Sequence, residues 1–372
     1  MAVRARGWEI VERLRAGERL VFDGGYGTAL FDAGLGNGDC PELWNDTHPD
    51  VVRDIHRGYF EAGSQLVETN TFGGTGLKLR EYDERYGHDM GARARELNDK
   101  GARLARAVCP PGGYIAGSIG PTSYLPLDYG VGDNQATDEE YFETFREQAQ
   151  ALAEGGVDCF AVETMMFPQE AAAAIRACKA VADLPVMATM FFQYEELHDR
   201  DRTMWGDSPA DVARQLVEAG ADVVGMNCGR GPDRAIVIIR EMRQVTDVPL
   251  IAYPNAGLPV TTGGRTTYEL GPEEMAKDYP ALLDAGCNIV GGCCGSNPEH
   301  IRLIADVVRS RRARWPRRPS RPSPARRSSS RACHSPSTGT RCCASRVTRR
   351  GSTCRAPRWS PSSRRRWPWA SS

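Results

Sequence analysis

FEAGSQLVET (60–69), AEGGVDCFAVET (153–164), VEAGADVVGMNC (217–228) and LDAGCNIVGGCC (283–294) are near-copies of one local plan. Each reads as a helix stopping on a C-cap glycine, a turn of one or two residues, then a short apolar strand. Working outward, apolar runs of the same kind alternate with longer amphipathic stretches from residue 19 to residue 308. They are RLVFDG (19–24), QLVETN (65–70), YIAGSIG (114–120), DCFAVET (158–164), VMATMFF (186–192), DVVGMNC (222–228), PLIAYPN (249–255) and NIVGGCC (288–294). Eight strands, each followed by a helix and built from a repeated unit, predict an α/β fold. The expected architecture is a TIM (β/α)8 barrel rather than an open doubly wound sheet.

A barrel of this kind builds its site where strands end and the following loops begin. The polar residues at those ends are Asp23, Glu68 to Asn70, Ser118, Glu163, Thr164, Thr189, Asn227, Cys228, Asn255, Cys293 and Cys294. A polar residue marks many strand exits for no reason but solvent. Eight exits on one rim, all so marked, point to a site.

The charge balance narrows the partners. The chain has 47 Lys and Arg against 48 Asp and Glu, but 18 Arg and no acidic residue lie in 311–372. That leaves 29 basic against 48 acidic residues in 1–310, a net of about −19, which argues against nucleic acid as the barrel's partner. The segment 311–372 is Arg, Ser and Pro with few apolar residues. It is expected to be a disordered tail, because it cannot bury enough surface to offset its ordering entropy, or to be non-native sequence from an out-of-frame read. The predicted division is therefore a barrel over 1–310 and a tail over 311–372. No run approaches the ~20 apolar residues of a membrane span, and the N-terminus carries charges throughout, so a cytoplasmic protein without membrane contact is expected. Twelve cysteines in so large a chain then read as reduced thiols or a metal site.

Cys228 closes the sixth run, and Cys293 with Cys294 closes the eighth. Three thiolates on one rim match a catalytic zinc, which keeps three protein ligands and one exchangeable position. Adjacent ligands are unusual on a strand, but the glycines of GGCCG let the backbone turn both sulfurs inward. Cys40, Cys109, Cys159, Cys178 and Cys287 are expected as ordinary core thiols. A zinc already holding three thiolates is a poor activator of water and a good partner for a further thiol, so the expected chemistry is alkyl transfer to sulfur. Asp23, in FDGGYGT, and Glu163, in AVET, could each receive an amino-acid ammonium. The glycines after Asp23 would leave N–H groups for a carboxylate.

FDGGYGTAL (22–30), VETNTFGG (67–74), AVET (161–164), GMNCGRGP (225–232), YPNAGLP (253–259) and GGCCGSNPEHI (291–301) together resemble the homocysteine S-methyltransferase family. That family includes betaine-homocysteine methyltransferase and the homocysteine-binding domain of cobalamin-dependent methionine synthase, whose wording YPNAGLP and GGCCG look most like. The resemblance spans about residues 8 to 308. It implies a zinc TIM barrel that binds homocysteine through its thiolate and transfers a methyl group to give methionine. The family's zinc thiolates map to Cys228, Cys293 and Cys294, with Asn255 as a fourth ligand when substrate is absent. Its amino-group carboxylates map to Asp23 and Glu163, and Asn70, Gly24 and Gly25 match segments that cradle the amino-acid end.

The resemblance leaves the methyl donor open among a methyl-corrinoid on a separate protein, S-methylmethionine and betaine. Nothing after residue 310 resembles the folate, cobalamin or activation domains of a complete methionine synthase. Tyr124, Tyr129, Tyr194 and Trp205, in long loops after the third and fifth strands, are candidates to cage a methylated cation. Two alternatives stay open: a corrinoid demethylation component using another acceptor, and a non-enzymatic homocysteine- or zinc-binding module; whether the chain forms a homo-oligomer is left open in every case.

Overall fold

The computed structural model describes residues 5–127, 132, 134–262 and 265–312. Tyr129 and nearly all of the expected tail lie outside the described residues. Eight parallel strands form one sheet: β1 Leu20–Val21, β2 Leu66–Glu68, β3 Tyr114–Ile119, β4 Cys159–Met165, β5 Val186–Met190, β6 Val223–Cys228, β7 Leu250–Pro254 and β8 Ile289–Val290. Each falls within one of the eight apolar runs except β4, which extends one residue further. The hydrogen-bonded order is β1-β8-β7-β6-β5-β4-β3-β2, so from β2 to β8 each strand pairs with the next in the chain and β1 pairs with β8. This is the TIM barrel the repeats predict, nearly closed, with helices on its outside.

The barrel's seam lies between β1 and β2, which share no regular ladder. Gln65 crosses it twice, donating its N–H to Val21 O at 2.8 Å and accepting the Val21 N–H on Oε1 at 2.7 Å. Ser64 Oγ donates to Phe22 O at 3.1 Å, and the Glu68 N–H donates to Asp23 Oδ2 at 2.6 Å. Side chains therefore satisfy backbone groups that a ladder would otherwise pair. The last of these bonds is made at the site end of the seam.

The repeated helix stops have the predicted geometry. Gly63, Gly156, Gly220 and Gly286 have φ of 112°, 92°, 109° and 105°, a region that side-chain-bearing residues enter at a cost. Residues along the strands then split by parity. Leu20, Phe22, Leu66, Tyr114, Ala116, Cys159, Ala161, Met187, Val223, Ile251, Tyr253 and Ile289 fill the interior. Val21, Val67, Ile115, Phe160, Val162, Val186, Val224 and Val290 face the helices instead. Helix Trp8–Arg15 adds Ile10 and Leu14 to the interior cluster. Its sequence gave no hint of that role. At the other terminus, helix Pro298–Arg312 packs Ile301, Ile304, Ala305 and Val308 on the outer core and runs two residues past the expected boundary at 310. No described helix is long and apolar enough to cross a membrane.

One buried carboxyl outside the rim makes a measurable contribution to stability. Glu170, in helix Pro168–Val181, accepts the N–H and hydroxyl of Thr122 on Oε1 at 2.7 and 2.8 Å, while Oε2 is buried without a donor. Burial pushes it up to about 7 despite those bonds. The folded protein thus holds this proton more tightly than the unfolded chain, whose Glu titrates near ~4.3. Its contribution is complete below that value and falls as pH rises to about 7, by roughly 4 kcal/mol in all. Glu170→Gln removes the titration. Denaturant melts at pH 5 and pH 8 should show the variant gaining on the parent by most of that amount, and a gap that does not change with pH would refute the assignment.

Candidate active site and metal centre

The ends of β6 and β8 bring three thiols together. Cys228 Sγ lies 3.0 Å from Cys293 Sγ, which lies 4.0 Å from Cys294 Sγ, and all three fall within 4.8 Å of one another. Among the described residues they form the one such group of His, Cys, Asp or Glu ligand atoms. Two backbone features produce the convergence. Cys228 sits at φ 57° and Gly229 at φ 71°, so the chain turns sharply at the strand end, and Gly295 at φ 81° does the same after the adjacent pair. A left-handed cysteine carries a cost that neighbouring structure has to hold. Asn255 supplies part of it, donating Nδ2 to Gly229 O at 2.7 Å and accepting the Cys294 N–H on Oδ1 at 3.1 Å.

The donor set fits zinc. Four ligands at ~2.3 Å in a tetrahedron place sulfurs roughly 3.8 Å apart, between the 3.0 and 4.0 Å separations of these thiols. The thiols also share charge. The neighbouring Cys228 thiol, then that of Cys293, holds Cys294 down to about 3, and Tyr268 acts in the same direction. Cys293 is pushed well up, first by its bond with Cys228 and then with Cys294. The remaining described cysteines are elsewhere, with Cys40, Cys159, Cys178 and Cys287 fully buried and Cys109 part-buried. No described histidine joins the group.

Beside the thiols lies a set of buried carboxyls. Glu163, on β4, accepts Ser118 Oγ on Oε1 at 2.5 Å, and on Oε2 the Tyr253 hydroxyl at 3.1 Å and Asn227 Nδ2 at 3.4 Å. Asp23 and Glu68 meet across the seam. All three are less than one-tenth exposed. Burial pushes each of them up, Asp23 and Glu68 furthest, and the Glu163 charge raises both further. Asn227 ties this set to the thiols. Its Oδ1 accepts the Thr164 N–H at 2.8 Å and Thr189 Oγ1 at 2.7 Å, and its Nδ2 also donates to Thr164 Oγ1 at 2.6 Å, one residue before Cys228.

The other expected residues fall differently. Asn70 is buried, but its Nδ2 is spent on Pro41 O at 2.8 Å and Asn45 Oδ1 at 3.1 Å, and its own carbonyl accepts Asn45 Nδ2 at 2.7 Å. It anchors the 41–45 segment to the end of β2. The expectation of free N–H groups after Asp23 needs correcting at Gly25, whose N–H donates to Ser296 O and Oγ, each at 3.2 Å. The glycines are required by close approach. A Cβ on Gly24 would lie 2.7 Å from the Tyr59 ring, and one on Gly25 2.7 Å from Cys293 O, so this turn seats directly on the thiol loop.

Nor do the described loop aromatics open a cage. Tyr194 already has the Arg234 and Arg230 guanidinium groups over its ring, at 4.1 and 5.1 Å, and Trp205 packs against Phe167 at 5.8 Å. Tyr124 packs partly buried against the core. Sequence reasoning undervalued Glu68 and missed Tyr253 and Tyr268. Tyr253 had a usable signal, since alternation along PLIAYPN turns it inward, whereas Tyr268 arrives on the hairpin Pro259–Thr262/Arg265–Tyr268 and packs against Gly295, a placement no local pattern encodes.

A parallel barrel that gathers three thiols and three buried carboxyls on one rim has an enzyme-like site with a donor set suited to a metal ion. The family model for homocysteine S-methyltransferase matches residues 20–308, and the chain belongs to that family. It is 32% identical over 306 residues to the methionine synthase of Mycobacterium tuberculosis (strain ATCC 25618 / H37Rv), and 32% identical over 302 residues to that of Mycobacterium leprae (strain TN). Each match covers 78% of this chain, which spans about a quarter (24%) of the mycobacterial proteins. Among solved structures, the metallated form of the homocysteine methyltransferase MmuM from Escherichia coli matches with a TM-score of 0.61 and 23% identity, over 80% of this chain and 98% of that one. A methyltransferase from Methanosarcina mazei matches with a TM-score of 0.53 at 10% identity, over 83% of this chain and 100% of that one. Both share the fold.

Proposed function

We propose that this chain transfers a methyl group to the sulfur of homocysteine, giving methionine, at a zinc held by Cys228, Cys293 and Cys294. The observation that carries the proposal is the convergence of three thiols within 4.8 Å beside buried carboxyls on one barrel rim. Zinc there would supply a Lewis acid that keeps the substrate sulfur a thiolate, the strong nucleophile, at neutral pH. The chain's own residues do the rest. Asn255 clamps the Cys228 and Cys294 loops in register, and the Tyr268 ring packs on the same loop at Gly295. Asp23 and Glu163 draw in the ammonium, fixing the sulfur on the thiol side of the pocket. Orientation of this kind is worth several kcal/mol in a bimolecular transfer. A new S–CH3 bond forms as the donor's bond to the methyl breaks, without net oxidation or reduction. All eight described cysteines are free thiols, which suits a reducing cytoplasm.

Elemental analysis with and without homocysteine, followed by methionine assay with methylcobalamin, S-methylmethionine and betaine, tests the proposal. One zinc per chain and methionine from one donor is the expected result. A folded, zinc-free protein would return the thiols to the core, and zinc without methionine from any donor would leave a binding module or a different acceptor.

A further inference from the structure

Glu68 ends β2 at 8% exposure, and no backbone, amide or hydroxyl donor of the protein reaches its Oε1. Asp23 is 1% exposed and its Oδ1 is equally without a donor, its Oδ2 being taken by the Glu68 N–H at 2.6 Å. These are two of the five side-chain atoms in the described residues that are buried and unpartnered. Glu163 is in the opposite condition, with Ser118 on one oxygen and Tyr253 and Asn227 on the other. Glu68 and Glu163 are in carboxyl-to-carboxyl contact, and the charges that act most on the three acids are one another's and that of Cys294.

Two carboxyls that meet need a proton or a cation between them, and a buried acceptor without a donor costs about 1–3 kcal/mol. A ligand that satisfies the two open oxygens of this corner is positively charged and rich in N–H. A metal ion suits it poorly, because the carboxylate oxygens do not converge within the 4.8 Å that the thiols do. A primary ammonium suits it well, with three donors that diverge toward separate acceptors.

Taking the homocysteine reading of the site as given, we infer that Glu68 is a direct acceptor for the substrate's α-ammonium group. It shares that group with Asp23, while Glu163 adds charge from oxygens the protein already engages. The cradle thus has three acids, and the two with open oxygens are those joined across the β1/β2 seam.

The test compares L-homocysteine with 4-sulfanylbutanoic acid, which keeps the thiol and carboxylate and lacks the amino group. Calorimetric affinities for both are measured on the metal-loaded protein and on Glu68→Gln, which puts an amide donor where the acceptor was. The parent should prefer homocysteine, and the variant should lose about 10- to 100-fold of that preference with little change toward the analogue. An unchanged preference in a folded Glu68→Gln would overturn the inference while leaving the homocysteine reading intact. A parent that binds neither thiol would overturn both. Glu68→Ala, read by the same ratio, decides the matter if the Gln variant does not fold.

Discussion

Cys294→Ser is expected to lose zinc and methyl transfer together while the barrel stays folded. A hydroxyl is a poor replacement for a thiolate on zinc, and two remaining thiols cannot hold a site that needs three. Cys294 also lies 4.0 Å from Cys293 Sγ, the sulfur that stands between the other two, so its loss opens the cluster on one side. The fold does not depend on it. The core lies between strands and helices and inside the barrel, while Cys294 stands in the loop after β8. Melting temperatures of the metal-free parent and variant should agree within a few degrees, with zinc raising only the parent's by binding linkage. Unchanged zinc content in Cys294→Ser would remove that residue from the ligand set.

Asp23→Asn is the second large effect. Its Oδ2 accepts the Glu68 N–H, a role an amide oxygen can keep, so the seam should survive. The opposite oxygen, now without a donor, becomes an NH2 group facing a cationic ligand. Exchanging a buried charged acceptor for a donor costs about 3 kcal/mol, or roughly 100-fold in homocysteine affinity. Zinc content should not change. Calorimetry showing unaltered homocysteine affinity would exclude Asp23 from the ammonium site, and a loss of zinc would mean that the seam and the thiol loops are mechanically coupled.

Much of this was legible in the chain because its signals are local. A glycine-stopped helix and an apolar strand repeat over about twelve residues, and the steric preferences that enforce them act within that span. Reading them placed all eight strands, and with them Cys228, Cys293, Cys294, Asp23 and Glu163 on one rim. The residues misjudged were those whose partners are distant in sequence. Gly25 was expected to offer its N–H to a ligand, but Ser296, 271 residues away, takes it. Asn70 was expected in the cradle, but Asn45 and Pro41 engage its amide. Tyr194 was a candidate for caging a cation, but Arg234 and Arg230 cover its ring.

The sequence by itself determined the barrel, the rim on which the site stands and the three thiols that meet there. Periodicity, cap glycines and residue type are properties of short segments. The tertiary structure alone decided how the ring closes at β1 and β2, where Gln65, Ser64 and Asp23 replace ladder bonds. It also decided that Asn255 clamps two thiol loops and that Glu68 joins the acids. Those outcomes depend on which hydrogen-bonding groups are left without a partner once the barrel has formed, and that is settled only when strands far apart in the chain have met.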